Sequence, residues 1–338
     1  MRVLALSATI GAASMAFGAP VHADAHPVPA PLPAATRATS ALSGADVLFL
    51  DSLVGRSRKL RAFFVSTSHP SFAMDLLQRL FGDSAANTPG VYTVNDSSLT
   101  DPISLITLVP FSQKLHGRIG SYRLGFWPYE RRVTQPEMYA DPDGFVEVTP
   151  ANEDVRVSEH FALRDFLTHD QEDIWPKYLV LDDKLVDKLE LVIEDLNDHG
   201  VNAEGMRIRS GFRTPAHNYA VRGEGSARDS RHQFGDAADV FIDQEGNGKM
   251  SDLNGDGKVN FADVKMILDA VERVEARYPE LVGGTGLYAY SGRSGPFAHI
   301  DVRGTRARWV RGVYKGRSHR VARTKKTTSA KPASAKKG

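Results

Sequence analysis

Cysteine is absent from all 338 residues. No disulfide can hold this fold together, and no thiolate is available as nucleophile or metal ligand. Any metal site must therefore be built from imidazoles and carboxylates. Net charge is nearly absent too, at +1 from 42 basic and 41 acidic side chains. That balance hides a separation. From Arg303 onward there are 13 Lys and Arg and no acid, which leaves 29 basic against 41 acidic residues before it. Long apolar runs are equally scarce. Residues 3–17 are apolar, but too few and too rich in Ala and Gly to span a bilayer. With Arg2 ahead of it and Val21-His22-Ala23 behind it, this stretch reads as a secretory signal over 1–23, with an uncleaved anchor as the alternative. No later segment approaches membrane-spanning length, so the chain is expected to be exported.

The remaining length suffices for two domains with cores of their own. Residues 24–44, rich in Ala, Pro and Thr, read as a linker. Residues 45–155 read as a small β-rich N-terminal domain. Within it, apolar spacing predicts a helix over 71–81 and alternation predicts a strand over 90–94. Residues 103–111 and 120–126 are further strand candidates, and Pro142-Asp143-Gly144 marks a turn. Residues 156–312 read as a second domain. Leu185, Val186, Leu189, Val192, Ile193 and Leu196 share one face of a helix over 181–196 that ends near Gly200. Strands are expected at 206–210, 238–242, 287–290 and 298–302, and a second helix at 261–278. Residues 313–338 read as a basic, disordered tail.

The chemistry concentrates in Ser230-Arg231-His232-Gln233-Phe234-Gly235-Asp236-Ala237-Ala238-Asp239 and, 60 residues after Asp239, in His299-Ile300-Asp301. Two imidazoles and one carboxylate can hold a zinc ion with a fourth position open, as catalytic rather than structural zinc sites do. His232 and Asp239 are 7 apart, a spacing that suits a loop followed by a strand. On spacing alone, ordinary satisfied polar residues explain the pattern equally well. Asp301 lies two along a strand from His299 and so on the same face. It is a candidate for the general base or for the group that orients a ligand. Arg213 can pair with a substrate carboxylate or an oxyanion through its fork of donors, or it can form a structural salt bridge.

Ser-x-His-x-x-Gly-x-Ala-x-Asp followed by His-x-Asp resembles the M15 family of zinc peptidases, the D-Ala-D-Ala carboxypeptidase-like proteins with hedgehog-fold relatives. Ser210-Gly211-Phe212-Arg213-Thr214-Pro215 resembles that family's Ser-Gly-Tyr-Arg-Ser-Pro element, and Phe161 with Asp165-Phe166 fits the segment ahead of it. The resemblance covers residues 156–312. It implies an α+β zinc peptidase domain of hedgehog/DD-peptidase type, with an antiparallel sheet and flanking helices, behind the small β-rich domain. It implies zinc on His232, Asp239 and His299. It also implies hydrolysis, by metal-activated water, of peptide bonds in peptidoglycan stem peptides or cross-links. The enzyme would be a DD-carboxypeptidase or endopeptidase of the periplasm or the extracellular cell wall. One departure stands out. Some relatives place an acid three residues before the last ligand or a His two before it, where this chain has Pro296 and Phe297. Residues 119–128 and 144–150 resemble the β-rich segment that precedes the peptidase domain in some members of this branch.

A second metal pattern lies between Asp239 and His299. Asp252, Asn254, Asp256, Lys258, Asn260 and Asp263 fall at positions 1, 3, 5, 7, 9 and 12 of an EF-hand loop, with Gly257 at position 6. Lys258 would offer its backbone carbonyl. The pattern resembles a dockerin repeat, although Asp replaces the usual Glu at the last position and no helix leads into the loop. The expected cofactors are thus Zn2+ and Ca2+. The expected partners are peptidoglycan peptides, with anionic wall or membrane polymers drawn to the basic tail. Export argues against nucleic acid. Two rival readings remain open. One is a catalytically weak, zinc-containing cell-wall-binding module, motivated by Pro296 and Phe297. The other is a calcium-dependent, dockerin-like adhesion or scaffold protein.

Overall fold

The computed structural model describes residues 34–38, 42–66, 71–130, 132, 134, 136–224, 227–289 and 295–312. The signal expected over 1–23 and the tail expected over 313–338 lie outside them. The chain runs through β1 (Ala34–Ala38), α1 (Gly44–Ser52), β2 (Ala62–Val65), α2 (Phe72–Phe81), β3 (Gly90–Asn95) and β4 (Ile103–Thr107). These strands make one sheet in the order β1-β3-β4-β2. β3 and β4 are antiparallel, and each edge strand runs parallel to its neighbour. α2 forms because Ala73, Leu76, Leu77 and Leu80 recur on one face while the Ser71 hydroxyl accepts from the Met74 N–H. Leu50, Leu76, Leu77, Val94 and Leu105 belong to one small core. The helix expected over 71–81 and the strand over 90–94 are therefore present. The stretch 24–44 is not all linker, since β1 lies inside it.

Next come β5 (Val109–Pro110), β6 (Arg118–Ile119), β7 (Tyr122–Arg123), β8 (Gly144–Val148) and β9 (Lys177–Leu179). β6 and β7 form a short hairpin, so only two residues of 120–126 are strand. β5, β8 and β9 form a three-stranded antiparallel sheet. Pairing of β8 with β9 bridges the domain boundary expected at residue 155. The larger core likewise runs without a break from Leu60 through Phe145 and Tyr178 to Val302.

The last third holds α3 (Asp183–Asp198), β10 (Met206–Ser210), α4 (Pro215–Ala220), β11 (Ala237–Ile242), α5 (Phe261–Arg277), β12 (Gly284–Tyr288), β13 (Phe297–Asp301) and β14 (Ala307–Arg311). Its sheet has the order β10-β11-β13-β12-β14, antiparallel except for the parallel β12–β14 edge. The fold class is α+β. All six apolar positions picked out in α3 are buried, each stabilising the fold by roughly 1.5–3 kcal/mol relative to exposure. α3 packs on α5, and α5 lies across β12 and β13. Val240, Ala298 and Ile300 belong to that core. Strand alternation then leaves Asp239, His299 and Asp301 on the other face. Among the described residues no helix is long and apolar enough to cross a membrane.

Candidate metal centre

Cross-strand register assembles the site. Ser210 pairs with Asp239, Asp239 with His299, His299 with Gly286, and Gly286 with Trp309. Residues paired in this way form one row on one face of a sheet. His232 arrives from outside the sheet, on the short 3-10 turn Arg231–Phe234. That turn closes on Gly235 at φ 70°, where an added Cβ would lie 2.3 Å from the Val180 carbonyl oxygen. His232 Nδ1 lies 2.7 Å from the Gly211 carbonyl oxygen and donates to it. The Nε2 lone pair is thereby left to face the other two residues.

His232 Nε2 lies 3.3 Å from Asp239 Oδ1 and 3.2 Å from His299 Nδ1, and the last two atoms are 2.9 Å apart. Tetrahedral coordination at about 2.0–2.1 Å places ligand atoms about 3.3 Å from one another. The triangle therefore fits such an ion after a slight widening of its shortest edge. All three residues are buried, and among the described residues this is the group of His and carboxylate side chains able to hold a metal ion.

The surrounding groups fix these side chains. His299 Nε2 lies 3.2 Å from Asp301 Oδ2, so Asp301 holds the ring with Nδ1 turned to the cluster. Asp301 is fully buried and also accepts from the Gly284 N–H at 2.7 Å, the Arg303 N–H at 3.1 Å and the Arg303 guanidinium. Each of its oxygens already faces three donors, so it is not free to take a proton from a water. Of its two expected roles, the geometry supports the orienting one. Arg213 donates to Asp239 Oδ2 at 2.9 Å and to Ser210 Oγ at 2.8 Å. Of its three options it takes the salt bridge, holding the Asp239 carboxylate in place. Below β13, the buried Lys188 ammonium joins Glu275 at 2.7 Å to the Asp301 carbonyl at 2.8 Å, which ties α3 and α5 to the strand that carries His299.

The charges follow from this packing. Burial disfavours charge on His299, yet its bonds to Asp239 and Asp301 outweigh that and raise its pKa to about 9. Burial holds His232 below the usual imidazole range. Burial pushes Asp239 up, but His232 and then His299 keep it well below the usual carboxylate range. Asp236, buried beside Arg231, is raised by that burial to about 6.

The cluster lies at a cleft of about 530 Å³ whose walls include Arg209, His217, Tyr288, Phe297 and Trp309. Sequence reasoning missed Arg209, Tyr288 and Trp309. Trp309 lies 5.2 Å from the His299 ring and donates to the Tyr288 hydroxyl at 3.2 Å. Gly286 makes that possible, because a Cβ there would stand 2.2 Å from the indole. The segment preceding the site buttresses it. Trp127 Nε1 donates to the Gln233 carbonyl at 2.8 Å, and Arg231 bonds both the Met138 carbonyl and Asp236. Tyr122 and Trp127 are buried, while Phe126 is 45% exposed.

The loop read as a calcium site is turned by its own side chains. Asp252 accepts from the Gly255, Asp256 and Gly257 amides, Asn254 from Asp256, and Asp256 from Lys258. Asn260 caps α5 through Ala262, and Asp263 accepts from Leu253, Asn254 and Asn260. As observed, Asp263 is committed to the loop backbone. The carboxylates of Asp252, Asp256 and Asp263 do not form a converging group of three among the described residues.

No family model matches the chain, and no curated protein matches it. Among solved structures the chain is similar to the Serratia marcescens L-Ala D-Glu endopeptidase ChiX, at 17% identity over 36% of this chain and 82% of that one. The TM-score is 0.24, a superposition too loose to carry an argument about fold or activity.

Proposed function

We propose that this protein is an exported zinc peptidase acting on the peptides of peptidoglycan, with His232, Asp239 and His299 as ligands. The observation that carries the reading is the convergence of His232 Nε2, Asp239 Oδ1 and His299 Nδ1 at 2.9–3.3 Å beside an open cleft. The motif resemblance supports peptide bonds as the substrate and the cell wall as the place. Bound zinc supplies Lewis-acid polarisation of a scissile carbonyl and acidifies water. The protein's own groups do the rest. Gly211 and Asp301 fix the two imidazole tautomers, Arg213 braces Asp239, and Trp309 and Tyr288 wall the cluster on one side.

A second reading, a zinc-containing wall-binding module with little turnover, is favoured by the saturation of Asp301. That carboxylate is not available as a base, and Pro296 and Phe297 cannot replace it. For the loop 252–263 the spacing of oxygen ligands supports Ca2+ bound there to steady α5. A calcium titration read by melting temperature tests it, and an unchanged melt would remove calcium from the account. The main experiment incubates the full chain with peptidoglycan fragments, with and without added zinc. New amine termini that require zinc and vanish in His232→Ala support the peptidase. Zinc uptake without cleavage supports the module.

A further inference from the structure

Five arginines and two aspartates line the cleft. Three of the arginines are spoken for, since Arg213 pairs with Asp239, Arg231 with Asp236 and Arg303 with Asp301. Arg209 differs. Among the described residues its guanidinium makes no ion pair and no hydrogen bond, and its contact is the face of Phe297, 4.4 Å from the ring centroid. Phe297 in turn stacks on Tyr288 at 4.4 Å and 11°. A guanidinium laid on a ring face keeps its in-plane donors for another partner.

The backbone explains how Arg209 reaches this cleft. Ile208 pairs with Val240 and Ser210 with Asp239, so Arg209 is the unmatched residue of a β-bulge in β10. Neighbours on a regular strand face opposite sides of the sheet, yet Arg209 and Ser210 both line the cleft. His169 Nε2 lies 2.8 Å from the Arg209 carbonyl oxygen and braces the bulge. Arg209 is thus a half-buried cation with no ion pair among the described residues, which feels the charge of Asp239 without pairing with it, and a backbone irregularity turns it into the cleft with donors left for an anion.

We propose that Arg209 anchors a carboxylate of the substrate, so that the cleft selects peptides carrying a free carboxylate, at the chain terminus or on an acidic side chain. This rests on the peptidase reading for the word substrate, but the anchor itself can be measured as binding. The probes are four short peptides of one backbone: free-acid or amidated at the C-terminus, each with Glu or Gln at one internal position. Binding to the full chain is followed by calorimetry, zinc-loaded and after chelation, and initial rates are recorded in parallel.

The wild type is expected to bind at least one carboxylate peptide about tenfold or more tightly than its amide counterpart. The comparison between termini and side chains names the source. Arg209→Gln should remove that preference while leaving zinc content, melting temperature and binding of the uncharged peptide unchanged, and Arg209→Lys should restore part of it. Equal binding of acid and amide peptides, no binding of any acidic peptide, or a loss in Arg209→Gln that ignores peptide charge would overturn the anchor. Arg209-dependent binding without hydrolysis would keep the anchor and sink the peptidase. Hydrolysis indifferent to Arg209 would do the reverse.

Discussion

Replacing Asp301 with Asn separates two roles that its place in the sequence cannot distinguish. The carboxylate presents Oδ2 to His299 Nε2 at 3.2 Å, shares both oxygens with Arg303, and accepts from the Gly284 N–H at Oδ1. In Asp301→Asn one oxygen survives and can keep the Gly284 bond. The amide nitrogen then takes the Oδ2 place and faces both His299 and Arg303, which are donors. To accept from it, the His299 ring must take the bond at Nε2 and carry its proton on Nδ1, the atom that would bind the metal. A hydrogen bond to a charged group contributes about 1.5–3 kcal/mol, and about 1.4 kcal/mol corresponds to tenfold. Zinc affinity should therefore fall by about tenfold to a hundredfold, as is usual when the outer partner of a ligand is lost. Competition against a chromophoric chelator measures this, with turnover recorded at saturating zinc. Near-normal turnover at full occupancy is the expected companion result. If Asp301→Asn binds zinc like the wild type but loses turnover a hundredfold or more, Asp301 is the general base and the orienting account is wrong.

Other perturbations probe the surroundings. Gly286→Ala places a methyl 2.2 Å from the Trp309 indole, and overpacking of this kind should cost about 1–3 kcal/mol in a urea melt, relieved in part by Trp309→Leu. His160 sits between Glu190 at 2.7 Å and Glu204 at 2.9 Å. Its bond to Glu190 raises its pKa against the opposing effect of burial, with Glu204 adding to the rise. The folded pKa is the higher one, so the charged ring stabilises the fold fully below the unfolded value of about 6.5, and that stability is lost as pH climbs through the raised value. The difference in urea midpoint between wild type and His160→Gln should shrink from pH 5.5 to pH 9. A difference independent of pH would refute the linkage.

α2, α3, α5 and the His232–Asp239–His299 group were legible because periodicity and side-chain chemistry act locally. Leu185 to Leu196 mark α3 by spacing alone, and the proposed zinc ligands stand out as a motif. What escaped was set by tertiary pairing. α1 carries its apolar residues as a run rather than a stripe, and Leu48 is left 74% exposed. β14 mixes arginines with apolar residues without strict alternation and merges into a basic stretch. Only its parallel pairing with β12 makes it a strand and brings Trp309 over His299. Arg209 belongs to a regular-looking strand, and nothing in Met-Arg-Ile-Arg-Ser announces the bulge that turns it into the cleft. The boundary drawn at residue 155 followed the span of the motif resemblance, whereas the pairing of β8 with β9 is long-range. Asp301 was correctly placed on the face of His299, but the donors that saturate it come from Gly284 and Arg303.

The central claim is that His232, Asp239 and His299 hold one metal ion. Zinc content of the full chain, measured by elemental mass spectrometry after chelation, re-addition and exhaustive dialysis, tests it most directly. The account predicts one zinc per wild-type chain and none in His232→Ala or Asp239→Ala, with circular dichroism showing each variant folded. A wild type that retains no zinc, or variants that retain as much as the wild type, would contradict it.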